Sequence, residues 1–178
     1  APYVTIVLPC YNEGAHVLQE IDRITATMAA SELTYELLCI DDASTDDTLD
    51  VLRHAQQRYP HLRILPFRRN GGSGTARRIG TQQARGEIVV WTDADMTYPN
   101  GEIAALVDGL GTADQIVGAR TTEEGTLKVL RTPAKWFVRR LAQRLTDTEI
   151  KDLNSGFRAF RREAATPYLP LLPAGFSC

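Results

Sequence analysis

Apolar and polar positions alternate along the chain with two periods in turn. Val4-Thr5-Ile6-Val7-Leu8 is a short apolar run, which predicts a buried strand stopped by Pro9. Val17, Ile21, Ile24 and Met28 then recur at helical spacing. Leu37–Ile40 predicts a second strand ending in Asp41-Asp42. Ser44, with Asp47 three residues on, resembles a capping box for a helix carrying Leu49, Leu52 and Tyr59 on one face. Leu62–Leu65 predicts a third strand. Gly71-Gly72-Ser73-Gly74 opens a helix through Ala76, Ile79 and Ala84, and Ile88–Trp91 is the fourth strand. Ile103, Leu106, Val107 and Leu110 mark another helix, and Gln115–Gly118 a fifth strand. Strands alternating with helices predict one α/β domain, an open, mostly parallel, Rossmann-like sheet with helices on both faces. Ligands of such sheets sit at the carboxyl ends of the strands. The polar clusters Pro9–Glu13, Asp41-Asp42 and Asp93–Thr97 all fall there.

The chemistry concentrates in Trp91-Thr92-Asp93-Ala94-Asp95-Met96-Thr97. Residues i and i+2 of an extended backbone project to the same side, so Asp93 and Asp95 converge at a strand end. Two adjacent carboxylates repel each other and resist desolvation. A hard divalent cation relieves both problems, and Mg²⁺ is usually held by one or two carboxylates plus substrate phosphates. A solvated Asp-rich turn is the plainer alternative. Asp42, ending strand two, can accept a hydrogen bond from a base N–H, as at N3 of uracil or N1 of guanine; Asp41 and Asp42 alternate in direction, so one of them points away, and the plainer alternative is that both assist the Ser44 turn. After strand one, Tyr11 can stack on a base and Glu13 can bind a ribose hydroxyl.

Bulk properties narrow the classes. The 178 residues suffice for one domain with a core; 43% are hydrophobic and 24% charged. A net charge of −2 gives no electrostatic case for nucleic acid. No apolar run approaches the ~18 residues of a membrane span, and no signal-peptide pattern is present. Cys10, Cys39 and Cys178 are widely spaced, which argues against a disulfide scaffold or zinc site and fits a reducing compartment. His16, His54 and His61 have no ligand spacing. Beginning at Ala1 without Met and stopping at Gly175-Phe176-Ser177-Cys178, the sequence is expected to be a fragment truncated at its C-terminal side. The Gly-rich segment invites a dinucleotide reading, but Gly72-Ser73-Gly74 lacks the third glycine and follows the third strand. A nicotinamide-dependent oxidoreductase is therefore disfavoured. The junction can still bind an anion through free N–H groups, or simply let a helix pack closely.

Taken together, "VTIVLPCYNE", "LLCIDDASTDDT", "NGGSGTARRIG", "VVWTDADMTYP", "VGAR" and "DLNSGFRAFRR" resemble the family-2 glycosyltransferases of the glycosyltransferase-A fold. The polyprenyl-phosphate type, including the dolichyl-phosphate mannosyltransferases, is the most similar, and the motifs run in order from Val4 to Arg162. The resemblance implies a single glycosyltransferase-A domain over 1–178, with a nucleotide-sugar part about 1–120 and an acceptor-side part about 121–178. It implies a GDP- or UDP-sugar donor, a polyprenyl phosphate acceptor and Mg²⁺ or Mn²⁺ at Asp93 and Asp95. It places Pro9, Tyr11, Glu13, Ile40, Asp42, Gly74 and Ala94 around the donor, and Arg120 on its phosphate. Arg131, Asp152, Ser155 and Arg158 fall on the acceptor side. Cys10 departs from the Thr or Ser common in the family, and Thr97 from a Gln often seen in mannosyltransferases, which weakens a mannose assignment. The family's downstream basic segment lies beyond the end of the sequence.

Lys128, Arg131, Lys135, Arg139, Arg140 and Arg144 form a basic cluster with no acid among them. On a helix, Arg131, Lys135 and Arg139 stack at i+4 steps. Leu130, Ala134, Phe137, Leu141 and Leu145 take another face, with Trp136 beside it. Such a helix can lie on an anionic membrane or receive a lipid phosphate; a solvated basic face is the alternative. The expected location is cytoplasmic, peripheral at the cytoplasmic face of the membrane. The expected reaction is inverting sugar transfer to a polyprenyl phosphate. An alcohol or saccharide acceptor would require a base, for which Asp152 is a weak candidate, and a non-catalytic nucleotide-binding module remains the reading from another class.

Overall fold

A computed structural model describes residues 1–118 and 156–173. Its strands are β1 (Val4–Cys10), β2 (Tyr35–Asp41), β3 (Leu62–Pro66), β4 (Ile88–Trp91), β5 (Gln115–Val117) and β6 (Arg158–Arg161). They form one sheet in the order β3-β2-β1-β4-β6-β5. β1 runs parallel to β2 and β4, and β2 parallel to β3, while β6 lies antiparallel between β4 and β5. The helices are α1 (Val17–Ala29), α2 (Thr48–Arg58), α3 (Ser73–Gln83) and α4 (Ile103–Asp108).

Alternate strand residues feed two cores, as the period of two requires. Val4, Ile6 and Leu8 pack with Ile21, Ile24 and Met28 of α1, Leu52 of α2 and Ile103 of α4. Val7, Leu38, Ile40, Val89 and Trp91 pack on the other face with Ala76 of α3, Phe160 and Leu169. Helices thus cover both faces, and the mostly parallel α/β sheet expected from the sequence is present. Gly80 lets α3 approach: a Cβ there would stand 2.5 Å from Val7 Cγ1 and 2.7 Å from Ile40 Cδ1.

Three local expectations change. Pro9 does not stop β1, which continues to Cys10 against β2. The Val7 carbonyl faces β4, accepting from Thr92 N, and Pro9, two residues on, faces the same way. The β4 ladder has already ended at Val7↔Trp91, so no partner there needs the N–H that proline lacks. Ser44 and Asp47 form no capping box. Asp47 makes no side-chain cap, and the Asp46 carboxylate accepts from Thr48 N at 3.0 Å. Finally, Arg158–Arg161 is a strand, inserted antiparallel; four residues flanked by arginines carry little strand signal in the sequence.

Candidate functional site

Three loops leave the carboxyl ends of β1, β2 and β4 side by side and enclose a cavity of about 260 Å³. The β1 end supplies Pro9, Cys10, Tyr11 and Glu13; the β2 end supplies Asp42. Ser73 and Arg77 come from α3, and Asp93, Ala94 and Asp95 from the β4 end. Asn12, Ala43 and Met96 have φ of 56°, 59° and 65°, one in each of these loops. Left-handed backbone at non-glycine residues is uncommon and concentrates where function constrains the chain.

Side chains hold each loop in place. Asn12 Oδ1 accepts from Thr45 N at 2.8 Å, while Asn12 N donates to Ser44 Oγ and Glu13 N to Thr48 Oγ1. The β1 and β2 loops are therefore stitched together. Asp42 is 3% exposed and accepts from Gly71 N at 2.7 Å and Gly72 N at 2.8 Å, one on each oxygen. The anion that the Gly-rich junction binds is thus the carboxylate of Asp42. Of the two, Asp41 is the one that assists the Ser44 turn, accepting from Ser44 N. Asp93 and Asp95 both reach the cavity. Asp93 Oδ1 pairs with Arg77 Nη2 at 2.6 Å, and Asp95 Oδ1 accepts from Thr97 N and, at 2.6 Å, from Thr97 Oγ1.

Arg77 is a site residue that the hydrophobic pattern does not single out. It lies on the inward stripe of α3, 1% exposed, with its guanidinium 5.9 Å from the Trp91 ring centroid. Its Nε and Nη1 are buried without hydrogen-bond partners among the described residues. Unmet donors on a buried cation are costly. An arginine at an inward helical position is the signal the sequence offers. Cys10 and Ser73 are likewise wall residues that motif reasoning does not pick out. Burial and the charges of Asp95, Asp46 and Asp93 push the Glu13 carboxyl above its usual range, against a smaller opposite pull from His16. The cavity therefore carries an excess of negative charge. The Cys10 thiol is held well above its usual range by a hydrogen bond with Cys39 and by burial, which makes it an inert wall rather than a nucleophile.

Among the expected site residues, Pro9, Tyr11, Glu13, Asp42, Asp93, Ala94 and Asp95 meet in this cavity. Ile40 does not line it; its side chain is fully buried against Gly80 on the α3 face. Gly74 is buried in the first turn of α3. Arg158 opens β6, 5.7 Å from the Trp91 ring centroid, and lines a second, more apolar cavity with Phe160 and Leu169. Arg120, Arg131, Asp152, Ser155 and the basic cluster lie outside the described residues.

In an open α/β sheet, the crevice where β1, β2 and β4 end is the position in which such folds take their ligands. The chain belongs to glycosyl transferase family 2, whose profile matches residues 5–168. It is 31% identical to a dolichyl-phosphate beta-glucosyltransferase of Trichomonas vaginalis, over 94% of this chain and 54% of that one. It is 29% identical to an undecaprenyl-phosphate 4-deoxy-4-formamido-L-arabinose transferase of Shewanella sediminis, over 98% and 56%. The chain thus spans about half the length of the curated relatives it matches. Its fold matches that of a mannosyltransferase from Pyrobaculum calidifontis in complex with GDP-Man and Mn²⁺, with a TM-score of 0.64 and 24% identity, covering 93% of this chain and 46% of that one. It also matches glucosyl-3-phosphoglycerate synthase from Mycobacterium tuberculosis in complex with Mn²⁺ and UDP-glucose, at 0.68 and 23%, covering 92% and 58%. The expected glycosyltransferase-A fold is therefore the fold of this chain.

Proposed function

We propose that this chain carries the catalytic site for metal-dependent, inverting transfer of a sugar from a GDP- or UDP-sugar to undecaprenyl or dolichyl phosphate. The observation that carries the reading is a single cavity joining Asp93 and Asp95 to the buried, partly unsatisfied guanidinium of Arg77. Hard oxygen donors in an acidic crevice fit Mg²⁺ or Mn²⁺, and the relatives named for polyprenyl phosphates supply the acceptor class. Asp93 and Asp95 would hold the cation, which when bound neutralises charge on the leaving diphosphate. Arg77 orients Asp93 through its Nη2; Arg120 adds positive charge on the donor phosphates. Tyr11 stacks on the base, Asp42 accepts from its N–H, and Glu13 binds a ribose hydroxyl.

Residues about 1–120 form the donor part, and about 121–178, with Arg131, Asp152, Ser155 and Arg158, the acceptor part. A phosphate acceptor is an anion at neutral pH, so the reaction needs no strong general base. No helix among the described residues is long and apolar enough to cross a membrane. Contact at the cytoplasmic face, through Lys128–Arg144, completes the reading. The test is a panel of GDP- and UDP-sugars with undecaprenyl and dolichyl phosphates, run on the longest natural form containing this chain. Transfer to lipid that EDTA abolishes supports the proposal. Absence of metal-dependent transfer from every donor, or transfer only to an alcohol or saccharide, overturns it.

A further inference from the structure

We propose that Glu20 and Asn100 are positioning residues that hold the Asp93–Asp95 loop from behind; the inference rests on the metal-dependent donor site proposed above. Glu20 lies on α1 and Asn100 in the turn that follows the loop, and both are fully buried. Neither belongs to the cavity wall. Asn100 Nδ2 donates to Glu20 Oε2 and, at 3.2 Å, to the main-chain carbonyl of Asp93. Its Oδ1 accepts from Thr92 Oγ1. The reverse amide orientation would face oxygen against oxygen at two of these contacts, so the network fixes the side chain. Glu20 Oε1 also accepts from Arg23 Nη1 at 2.8 Å, and Arg23 Nη1 lies 3.9 Å from Met96 Sδ.

A buried carboxylate is tolerated only when paired and hydrogen-bonded, and its removal from water is a cost that apolar packing would avoid. Here that cost accompanies a geometric constraint. Thr92 and the Asp93 carbonyl are tied to α1 through one amide, while the Asp93 side chain is tied to α3 through Arg77. Asp93 is therefore gripped from both faces of the sheet. Met96, with φ of 65°, lies within the same short loop, so its backbone does not relax into this shape by intrinsic preference. Ligand side chains must be held within roughly 0.5 Å for a productive site, and groups behind the ligands supply that precision.

The test separates position from stability. Asn100→Ala removes every bond of the amide and can unfold the chain by leaving Glu20 buried. The double variant E20Q/N100D exchanges the polarity of the pair. The glutamine placed on α1 donates to the aspartate placed in the turn and still accepts from Arg23 as a neutral group, that aspartate still accepts from Thr92, and the bond to the Asp93 carbonyl gives way to an oxygen–oxygen contact. Ile24→Val, equally buried on α1, calibrates a purely structural loss. Thermal melting and calorimetric titration with Mn²⁺ plus UDP or GDP are measured on each, with the electron paramagnetic resonance of bound Mn²⁺ as a second readout. The expected result is E20Q/N100D melting above Asn100→Ala yet binding Mn²⁺–nucleotide at least about ten-fold more weakly than the unchanged chain, while Ile24→Val lowers only the melting temperature. If affinity recovers together with melting, the pair is structural and the inference falls alone. If the unchanged chain binds neither nucleotide with Mn²⁺, the donor-site reading falls first and takes the inference with it.

Discussion

Asp42→Ala probes two functions of one carboxylate. Each oxygen accepts a main-chain N–H of the Gly-rich loop, at 2.7 and 2.8 Å, and the residue is 3% exposed. A hydrogen bond to a charged group contributes ~1.5–3 kcal/mol net. Gly71 and Gly72 are half-buried, so water recovers part of the loss. The expected destabilisation is about 2–4 kcal/mol, from the low end of two such bonds. For a chain of this size that lowers Tm by about 5–15 °C, at roughly 2–4 °C per kcal/mol. Asp42→Asn keeps one acceptor but turns an NH₂ towards the other amide, so it should melt between the parent and Asp42→Ala. Where the variant is folded, loss of the bond to the base weakens UDP or GDP by a further ~1–3 kcal/mol, about five- to 150-fold. Inorganic pyrophosphate with Mn²⁺ lacks the base and should lose much less. A Tm within ~1 °C of the parent would refute the carboxylate–loop argument, given the bond energies involved. Equal losses for pyrophosphate and nucleotide would refute base recognition.

Asp95→Asn should remove Mn²⁺-dependent binding of UDP or GDP, read by calorimetry, with melting unchanged or raised because one of two repelling charges is gone. Gly80→Ala should cost about 1–3 kcal/mol in denaturant melts, since its methyl group would overlap Val7 and Ile40. Glu36 is held below its usual range because hydrogen bonds from Arg63, Thr5 and Arg85 N outweigh the opposing effect of burial. Its contribution is present above the usual carboxylate pKa near 4.5 and is lost as pH falls through the lower folded value, so the penalty of Glu36→Gln should shrink in acid melts. Glu13 behaves oppositely: its folded value is raised, so the parent loses stability relative to Glu13→Gln as pH rises through that window, and Mn²⁺ should narrow the gap. Changing Arg131, Lys135 and Arg139 to Glu should reduce sedimentation with anionic liposomes at low salt while sparing donor affinity, as each basic residue near the surface contributes ~1 kcal/mol; unchanged sedimentation would make the cluster a solvated face.

What the sequence disclosed was what periodicity and strand ends encode. Ile88–Trp91 and the helix around Val17–Met28 carried unambiguous apolar patterns, and both fall where the structure has them. The three strand-end clusters marked the crevice because carboxylates after apolar runs have few other places to go. Ile40 was assigned by resemblance, and its pattern as a strand residue did not reveal which face it would take; Gly80 settles that by drawing α3 onto it. Arg77, Glu20 and Asn100 were hidden for a related reason. A charged or amide side chain in a helical or loop segment reads as surface, and only tertiary packing shows that each is buried with specific partners.

The two ends of the sheet explain why the crevice is the working end. At the amino ends of β1 and β2, Glu36 is matched by Arg63 at 2.7 Å, by Thr5 Oγ1 and by the amide of Arg85. Its charge is satisfied, and its pKa falls. At the carboxyl ends the pKa of the same kind of side chain, Glu13, rises through burial and then the charge of Asp95. There Arg77 is buried with two donors unmatched, and three non-glycine residues adopt left-handed backbone. A fold selected for stability alone would not gather repelling carboxylates, a buried cation and loops with unfavourable φ angles around one 260 Å³ cavity. A divalent cation, when bound, would offset the carboxylates. The local violations of folding logic thus support the proposed metal site more sharply than any single motif does, because they gather at one place the carboxylates that would hold the cation.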